Sequence, residues 1–347
     1  MTYPMKELLR QSPELWDLFV FKTEPIHNQA YADLSDTLSD RLFLEPFLSR
    51  YLAKNGLRID YPDDRPFAVC LTHDVDDVYP PVHERALSAL YSAGHLDIRD
   101  AARQLFWEAG GPAHSPYMNF GEIMRLEEEY GARSSFYFLA TDRDVRRFRY
   151  DVEDLGGPMG EIVDRGFEVG LHGGYYSYAD PGAIGDEKKR LERVLNRRVV
   201  GYRNHYLKFR IPETWEYLAN AGFRYDATIG NNRVIGFKNG LCHPFKPFDV
   251  RTGREIDIIE LPMVLADFTL MTAKLNPRRI WEVAKSLIDG VEASGGVATL
   301  LWHNDVFGCS FRKDWVRVYR KVLAYCREKN AWMTSGDHIA EWVRKAY

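Results

Sequence analysis

From Pro66 onward, short apolar runs alternate with longer amphipathic ones, a rhythm that predicts strand–helix units sharing a parallel sheet. The apolar runs place strands at Phe67–Leu71, Ser135–Leu139, Glu168–Leu171, Val199–Gly201, Tyr225–Thr228, Ile256–Leu261, Val297–Trp302 and Trp332–Thr334. The amphipathic stretches place helices at Phe120–Tyr130, Gly160–Arg165, Asp186–Asn196, Pro212–Ala221, Pro277–Ala293, Trp315–Lys329 and His338–Lys345. Gly131, Gly166, Gly222 and Gly295 each stand where a helix should stop before the next strand. About seven or eight such units in one run favour a closed barrel over an open sheet. The expected fold is therefore α/β, a distorted (β/α)7-8 barrel over residues 63–347. Residues 1–62 carry helix-like patterns, Leu15, Leu18 and Phe19, then Leu42, Phe43, Phe47, Leu48, Tyr51 and Leu52. They read as a helical N-terminal extension packed on the barrel.

Composition narrows the function classes. A chain of 347 residues that is 45% hydrophobic can bury a sizeable core, and its net charge of −4 gives no basic face for nucleic acid or a membrane surface. Arg143, Arg146, Arg147 and Arg149 are locally basic, but Asp142, Asp144, Asp151, Glu153 and Asp154 surround them. That segment reads as a solvated loop; the alternative is contact with an anionic substrate such as a nucleotide- or lipid-linked sugar. Cys70, Cys242, Cys309 and Cys326 show no C-x-x-C spacing, against a zinc ribbon or a disulfide framework. No secretory signal and no membrane-spanning run is visible, so a reduced, cytoplasmic setting is expected. Oligomeric state is not legible.

In barrels of this kind the chemistry sits at the C-terminal ends of the strands. Polar clusters recur there: Thr72-His73-Asp74-Val75-Asp76-Asp77 after the first strand, His172 after the third and Arg203-Asn204-His205-Tyr206 after the fourth. Asp226 lies at the fifth, and His303-Asn304-Asp305 follows the seventh. Residues two apart in extended backbone point the same way, so Asp74 and Asp76 project together while His73 and Val75 point elsewhere. Side-by-side carboxylates repel unless a cation or proton lies between them. One can bind a metal while the other takes a proton from water, the division hydrolysis needs; an Asp-rich turn or cap is the structural alternative. His172, followed by Gly173 and Gly174, has little around it to bury it, and imidazole with carboxylate suits zinc and similar ions. A hydrogen-bonded turn histidine is the other reading. Arg203 can lock a carboxylate, whether for catalysis or as a structural salt bridge, and His205 can ligate a metal. His303 is placed to protonate a leaving amine near neutral pH, or is a satisfied core histidine.

Taken together and in order, these segments resemble the NodB-like polysaccharide deacetylases (carbohydrate esterase family 4), over roughly Phe67 to Ala346. The resemblance implies a divalent metal, most often Zn2+ with Co2+, Ni2+ or Fe2+ as alternatives, and a carbohydrate or aminosugar substrate that loses an N-acetyl group. It makes Asp74 the catalytic base. The family's usual adjacent Asp pair is Asp-Val-Asp here, so Asp76 inherits the metal role. His172 begins the H-x-x-x-H motif, but Tyr176 stands in the second His position. The R-x-P-Y motif reads Arg203-Asn204-His205-Tyr206, which suggests that His205 supplies the missing ligand. Arg203 would orient Asp74, and backbone amide near Tyr206 would help hold the oxyanion. Leu301-Trp302-His303 matches the L-x-H motif and makes His303 the acid. Asp226 and Asp267 are candidate partners for Arg203 or His303, and Tyr206, Tyr176 and Asn304 are candidate substrate contacts. The segment from Tyr79 to Asn119, with Trp107 and Tyr117, is expected to cover the cleft. Two alternatives remain: a deformylase or other amidohydrolase on a non-sugar amide, and a degenerate carbohydrate-binding relative without activity.

Overall fold

The computed structural model describes residues 4–22, 44–142, 149–273 and 276–345. Its sheet strands are β1 (Ala68–Val75), β2 (Ser135–Leu139), β3 (Glu168–Gly173), β4 (Gly201–Asn204), β5 (Tyr225–Asp226), β6 (Ile259–Glu260), β7 (Met263–Ala266), β8 (Val297–Leu301) and β9 (Trp332–Thr334). They form one sheet of nine strands in the order β6-β5-β4-β3-β2-β1-β8-β7, with β9 also on β1. Every pairing is parallel. One edge of β1 carries β8 along Ala68–Thr72; the other carries β9 over Ala68–Cys70 and then β2 over Thr72–Val75.

The sheet curls until its two edge strands are successive pieces of one extended run. Only Leu261-Pro262 separates β6 from β7, and Pro262 has no N–H with which to continue a ladder. The Met263 amide turns to the Ile229 carbonyl at 2.8 Å, beyond the end of β5. The expected distorted barrel is what the chain forms.

Alternation along the strands sorts residues between barrel interior and outer layer. In β1, Val69 and Leu71 join the apolar cluster that contains Leu287, Ile288, Val318 and Val322, from the helices Pro277–Ser294 and Lys313–Glu328. Ala68 and Cys70 face inward among Tyr137, Tyr225 and Val297. Two tyrosines crossing a narrow interior need space opposite them. A Cβ on Gly170 or Gly201 would overlap the rings of Tyr137 and Tyr225 respectively.

Among the described residues, three α-helices precede the barrel, Met5–Leu9, Pro13–Phe19 and Phe47–Lys54. Met5, Leu9, Phe19, Leu48 and Leu52 from them are buried in the same cluster as Phe136 and Leu171. Leu42 and Phe43, read above as part of a helical pattern, lie outside the described residues. Gly131, Gly166, Gly222 and Gly295 all take positive φ, between +65° and +78°, as helix-stop positions require.

Several boundaries differ from expectation for physical reasons. β1 runs on to Val75 and β4 to Asn204, because these strands continue into polar residues that an apolar pattern does not count. β7 was not expected at all; Pro262 splits what reads as one strand ending at Leu261. Helices Val82–Gly94 and Ile98–Phe106 occupy the segment expected to cover the cleft. They instead dock beside the loop after β8: Gln104 donates to the Gly308 carbonyl, and Arg312 pairs with Glu84 and Asp305. Trp107 stacks on Tyr79 at 5.7 Å, and Tyr117 is buried with its hydroxyl on Glu84 and Cys309.

Candidate active site and metal-binding cluster

The inward parity of four strands meets at one end of the barrel. Asp74 and Asp76 follow Ala68 and Cys70 in β1, His172 follows Glu168 in β3, Arg203 and His205 follow Gly201 in β4, and His303 follows Val297 and Leu301 in β8. They surround a cavity of about 350 Å³ lined by Asp74, Asp76, His172, His205, Tyr206, Leu207, Asn232, Arg233, Phe268, Leu301 and His303. A larger cleft of about 700 Å³ opens near Tyr61, Arg65 and Gly295, at the opposite ends of β1 and β8, away from this cluster.

Arg203, wholly buried, organises the base side. Its Nη1 donates to Asp74 Oδ1 at 3.0 Å and to Thr72 Oγ1 at 2.6 Å, and its Nε donates to the Ala227 carbonyl at 2.8 Å. Its guanidinium lies over the Tyr137 ring, 4.9 Å from the centroid. Asp74 Oδ2 is left 3.7 Å from His172 Nε2. Burial alone would raise the Asp74 carboxyl, but the charges of Arg203, then His172 and His303, outweigh it and hold the group ionised below its usual range.

Asp76, His172 and His205 offer ligand atoms that all lie within 4.8 Å of one another. His172 Nε2 is 3.2 Å from Asp76 Oδ1, and His205 Nε2 is 3.3 Å from Asp76 Oδ2. His172 Nδ1 sits 3.0 Å from the Arg203 carbonyl, which can only accept; Nδ1 therefore donates there and Nε2 is the nitrogen that faces the cluster. Burial pushes Asp76 up, but the His205 charge and hydrogen bonds from His172 and His205 carry it well below the ordinary carboxylate range. Two imidazoles and one ionised carboxylate, with one imidazole oriented by the Arg203 carbonyl so that Nε2 faces the cluster, fit a divalent ion of the zinc type.

On the acid side, His303 Nδ1 meets Asp267 Oδ1 at 2.8 Å and Oδ2 at 3.1 Å, and the His303 amide donates to Oδ2 at 2.7 Å. Burial lowers the imidazole, yet the charge and hydrogen bond of Asp267, with further contributions from Asp76 and Asp74, raise it well above the ordinary value. His303 is thus held as an imidazolium whose Nε2 is left for the cavity. Phe268 packs edge-on against its ring at 6.0 Å.

Other expected residues fall differently. Tyr206 lines the cavity, 43% exposed, in a left-handed turn with φ +57°. Tyr176 is 46% exposed beside Tyr175 and does not line it. Asn304 is buried; its amide donates to the Asp77 and Tyr117 carbonyls, so it ties loops together and does not face the cavity. Asp226 partners neither Arg203 nor His303 by hydrogen bond. It accepts from Thr228 Oγ1 beside its sheet neighbour Glu260, and burial raises both carboxyls. Arg143, Arg146 and Arg147 lie outside the described residues, whereas Arg149 reaches Asp76 and Asp77 instead of solvent. Asn232, Arg233 and Phe268 went unnoticed as site residues, the first two on a loop and Phe268 at the start of the helix Asp267–Thr272, where apolar periodicity carries no signal for a cavity.

No family model matches the chain, and no curated protein matches it. Solved structures do. A candidate polysaccharide deacetylase from Mycobacterium smegmatis is 21% identical with a TM-score of 0.56, over 83% of this chain and 93% of that one. The allantoinase Puue is 14% identical with a TM-score of 0.57, over 83% and 94%. A candidate polysaccharide deacetylase from Pseudomonas aeruginosa PAO1 is 13% identical with a TM-score of 0.56, over 83% and 94%. At these identities the likeness is one of fold, and it is the NodB-type barrel, as the resemblance implied.

Proposed function

We propose that the chain is a metal-dependent hydrolase that removes an N-acyl group, acetyl in the first instance, from an aminosugar or glycan. The observation that carries this reading is that one barrel mouth brings together an ionised Asp74 clamped by Arg203, a three-donor cation cluster, and a His303 imidazolium backed by Asp267. A divalent ion held by Asp76, His172 and His205 would supply Lewis-acid polarisation of the acyl carbonyl and of the attacking water. Zinc suits the donor set best, with cobalt, nickel and iron as alternatives.

Asp74 accepts the proton of the attacking water, and its depressed pKa keeps it available as a base. The water oxygen bonds to the acyl carbon, the C–N bond breaks, and His303 Nε2 gives its proton to the departing nitrogen. The products are a carboxylate and a free amine. Tyr206, Arg233 and Phe268 around the cavity offer one aromatic face, one cation and one apolar wall for a sugar ring with polar substituents. The four buried thiols, none in a disulfide, suit a reducing cytoplasmic compartment. Hydrolysis of a non-sugar C–N amide is the second reading, favoured by the shared fold with an allantoinase.

The test is release of acetate from a panel of N-acetylated aminosugars, free, polymeric and nucleotide-linked, by the zinc-loaded protein with and without chelator. Turnover abolished by chelator and restored by metal is the expected result. Loaded protein inert toward every sugar but active on a non-sugar amide would transfer the assignment to the second reading; inertness toward all of them would sink both.

A further inference from the structure

Asp76 and Asp77 leave β1 just beyond Val75, its last residue paired with β2. No ladder fixes the backbone there, and two adjacent carboxylates repel each other. Two consecutive residues from a distant segment close on this end. Tyr150 Oη donates to the Val75 carbonyl at 2.7 Å and accepts the Leu139 amide at 2.8 Å, so one phenol ties the tips of β1 and β2 together. Arg149 Nη1 lies 3.0 Å from Asp77 Oδ2 and 3.4 Å from Asp76 Oδ2, with its side chain 7% exposed. The other Asp76 oxygen, Oδ1, is the one nearest His172 Nε2.

We propose that Arg149 and Tyr150 are positioning residues that hold Asp76 in the orientation that ligates a cation, an inference that rests on reading Asp76, His172 and His205 as a metal site. Toward a bound cation, charge gives a guanidinium no reason to be there. A fixed positive group a few ångströms from a bound divalent ion repels it. Geometry gives the reason. The Asp-Val-Asp spacing puts the ligand past the end of the ladder, and a nearly buried guanidinium whose Nη1 reaches both Asp76 and Asp77 holds the two carboxylates together and fixes the rotamer. Tyr150 holds the backbone that precedes them. The two effects of Arg149 have opposite signs, so the direction of change on its removal decides between them.

The experiment is a Zn2+ titration of the metal-stripped full-length protein by calorimetry, for wild type, Arg149→Gln, Arg149→Lys and Tyr150→Phe, with thermal melting of each stripped form as a folding control. Arg149→Gln should bind about 10–100-fold more weakly, the usual loss when a group that orients a ligand is removed. Arg149→Lys, which keeps the charge but loses the rigid planar guanidinium, should weaken binding too, and Tyr150→Phe should move it the same way. Unchanged or tighter binding by Arg149→Gln overturns the proposal while leaving the metal site in place. A wild-type protein that binds no divalent ion overturns the metal reading and the proposal together. If Arg149→Gln fails to fold, Tyr150→Phe decides by the same criterion.

Discussion

At His303 the two ring nitrogens have different partners and so different tasks. Nδ1 and the backbone amide are both committed to Asp267, which fixes the ring, keeps it charged and leaves Nε2 to face the cavity. The raised pKa means the acid form persists through neutral pH, and a general acid that must be protonated sets the alkaline limb of a pH–rate profile. Asp267→Asn removes the largest raising influence, so that limb should move to lower pH by about 1–3 units, the usual effect of one neighbouring charge. Profiles of kcat/KM for both proteins check this, and an unmoved limb would mean that His303 is not the acid. Single residues of this kind were legible in the sequence where a strand's end and a motif coincided, as at Asp74, His172, Arg203 and His303. Asn304 misled because it neighbours His303 yet, inside the helix Asn304–Gly308, turns to the Asp77 and Tyr117 carbonyls. The contact of Arg149 with Asp76 and Asp77 was not legible, because nothing in its local sequence says which strand tip it will meet.

Alternation is what the elements contribute. Along β1 the even positions run from Ala68 through Cys70 and Thr72 to Asp74, all on the interior side, and the odd ones run outward. His73 obeys the same rule: its Nδ1 donates to the Trp302 carbonyl at 2.7 Å and its Nε2 meets Glu127 at 2.9 Å, outside the barrel. One imidazole thus links the neighbour of Asp74 to the neighbour of His303. This parity was readable in advance, whereas strand length was not. Apolar counting stops where a strand turns polar, and in this chain β1 and β4 turn polar at the ends that carry the Asp–His cluster. The interior also sets limits that periodicity does not reveal. Gly170 sits in β3 with its missing side chain aimed at the Tyr137 ring, 2.5 Å from where a Cβ would fall. Tyr137 in turn lies under Arg203 and hydrogen-bonds Tyr225 at 2.8 Å, so it cannot retreat without disturbing both. Gly170→Ala should therefore destabilise the fold by about 1–3 kcal/mol through overpacking. Chemical denaturation measures it, and a variant as stable as wild type would show that the interior yields more easily than this contact suggests.

At the scale of the whole molecule, the joint between the N-terminal helices and the barrel buries a group that responds to acid. Ser49, on the helix Phe47–Lys54, accepts the Cys242 amide at 2.8 Å and the His243 amide at 3.2 Å, while the Cys242 carbonyl accepts the Val297 amide of β8 at 2.8 Å. One short segment thus bonds to a preceding helix on one side and to a central strand on the other. His243 is wholly buried there, and burial pulls its imidazole down from 6.5 to about 4, with the Ser294 backbone offsetting only part of that effect. A histidine depressed in the fold contributes stability that is complete above its unfolded pKa and is lost as pH falls toward the folded one. The window is therefore pH 6.5 down to about 4, and the full loss from this one group is roughly 3 kcal/mol. His243→Phe keeps the volume and removes the titration. Whatever it costs at pH 7, its urea midpoint should fall less steeply than wild type between pH 6.5 and 4.5. Equal slopes would mean that His243 takes up its proton without opening the joint, and that acid acts on the molecule elsewhere.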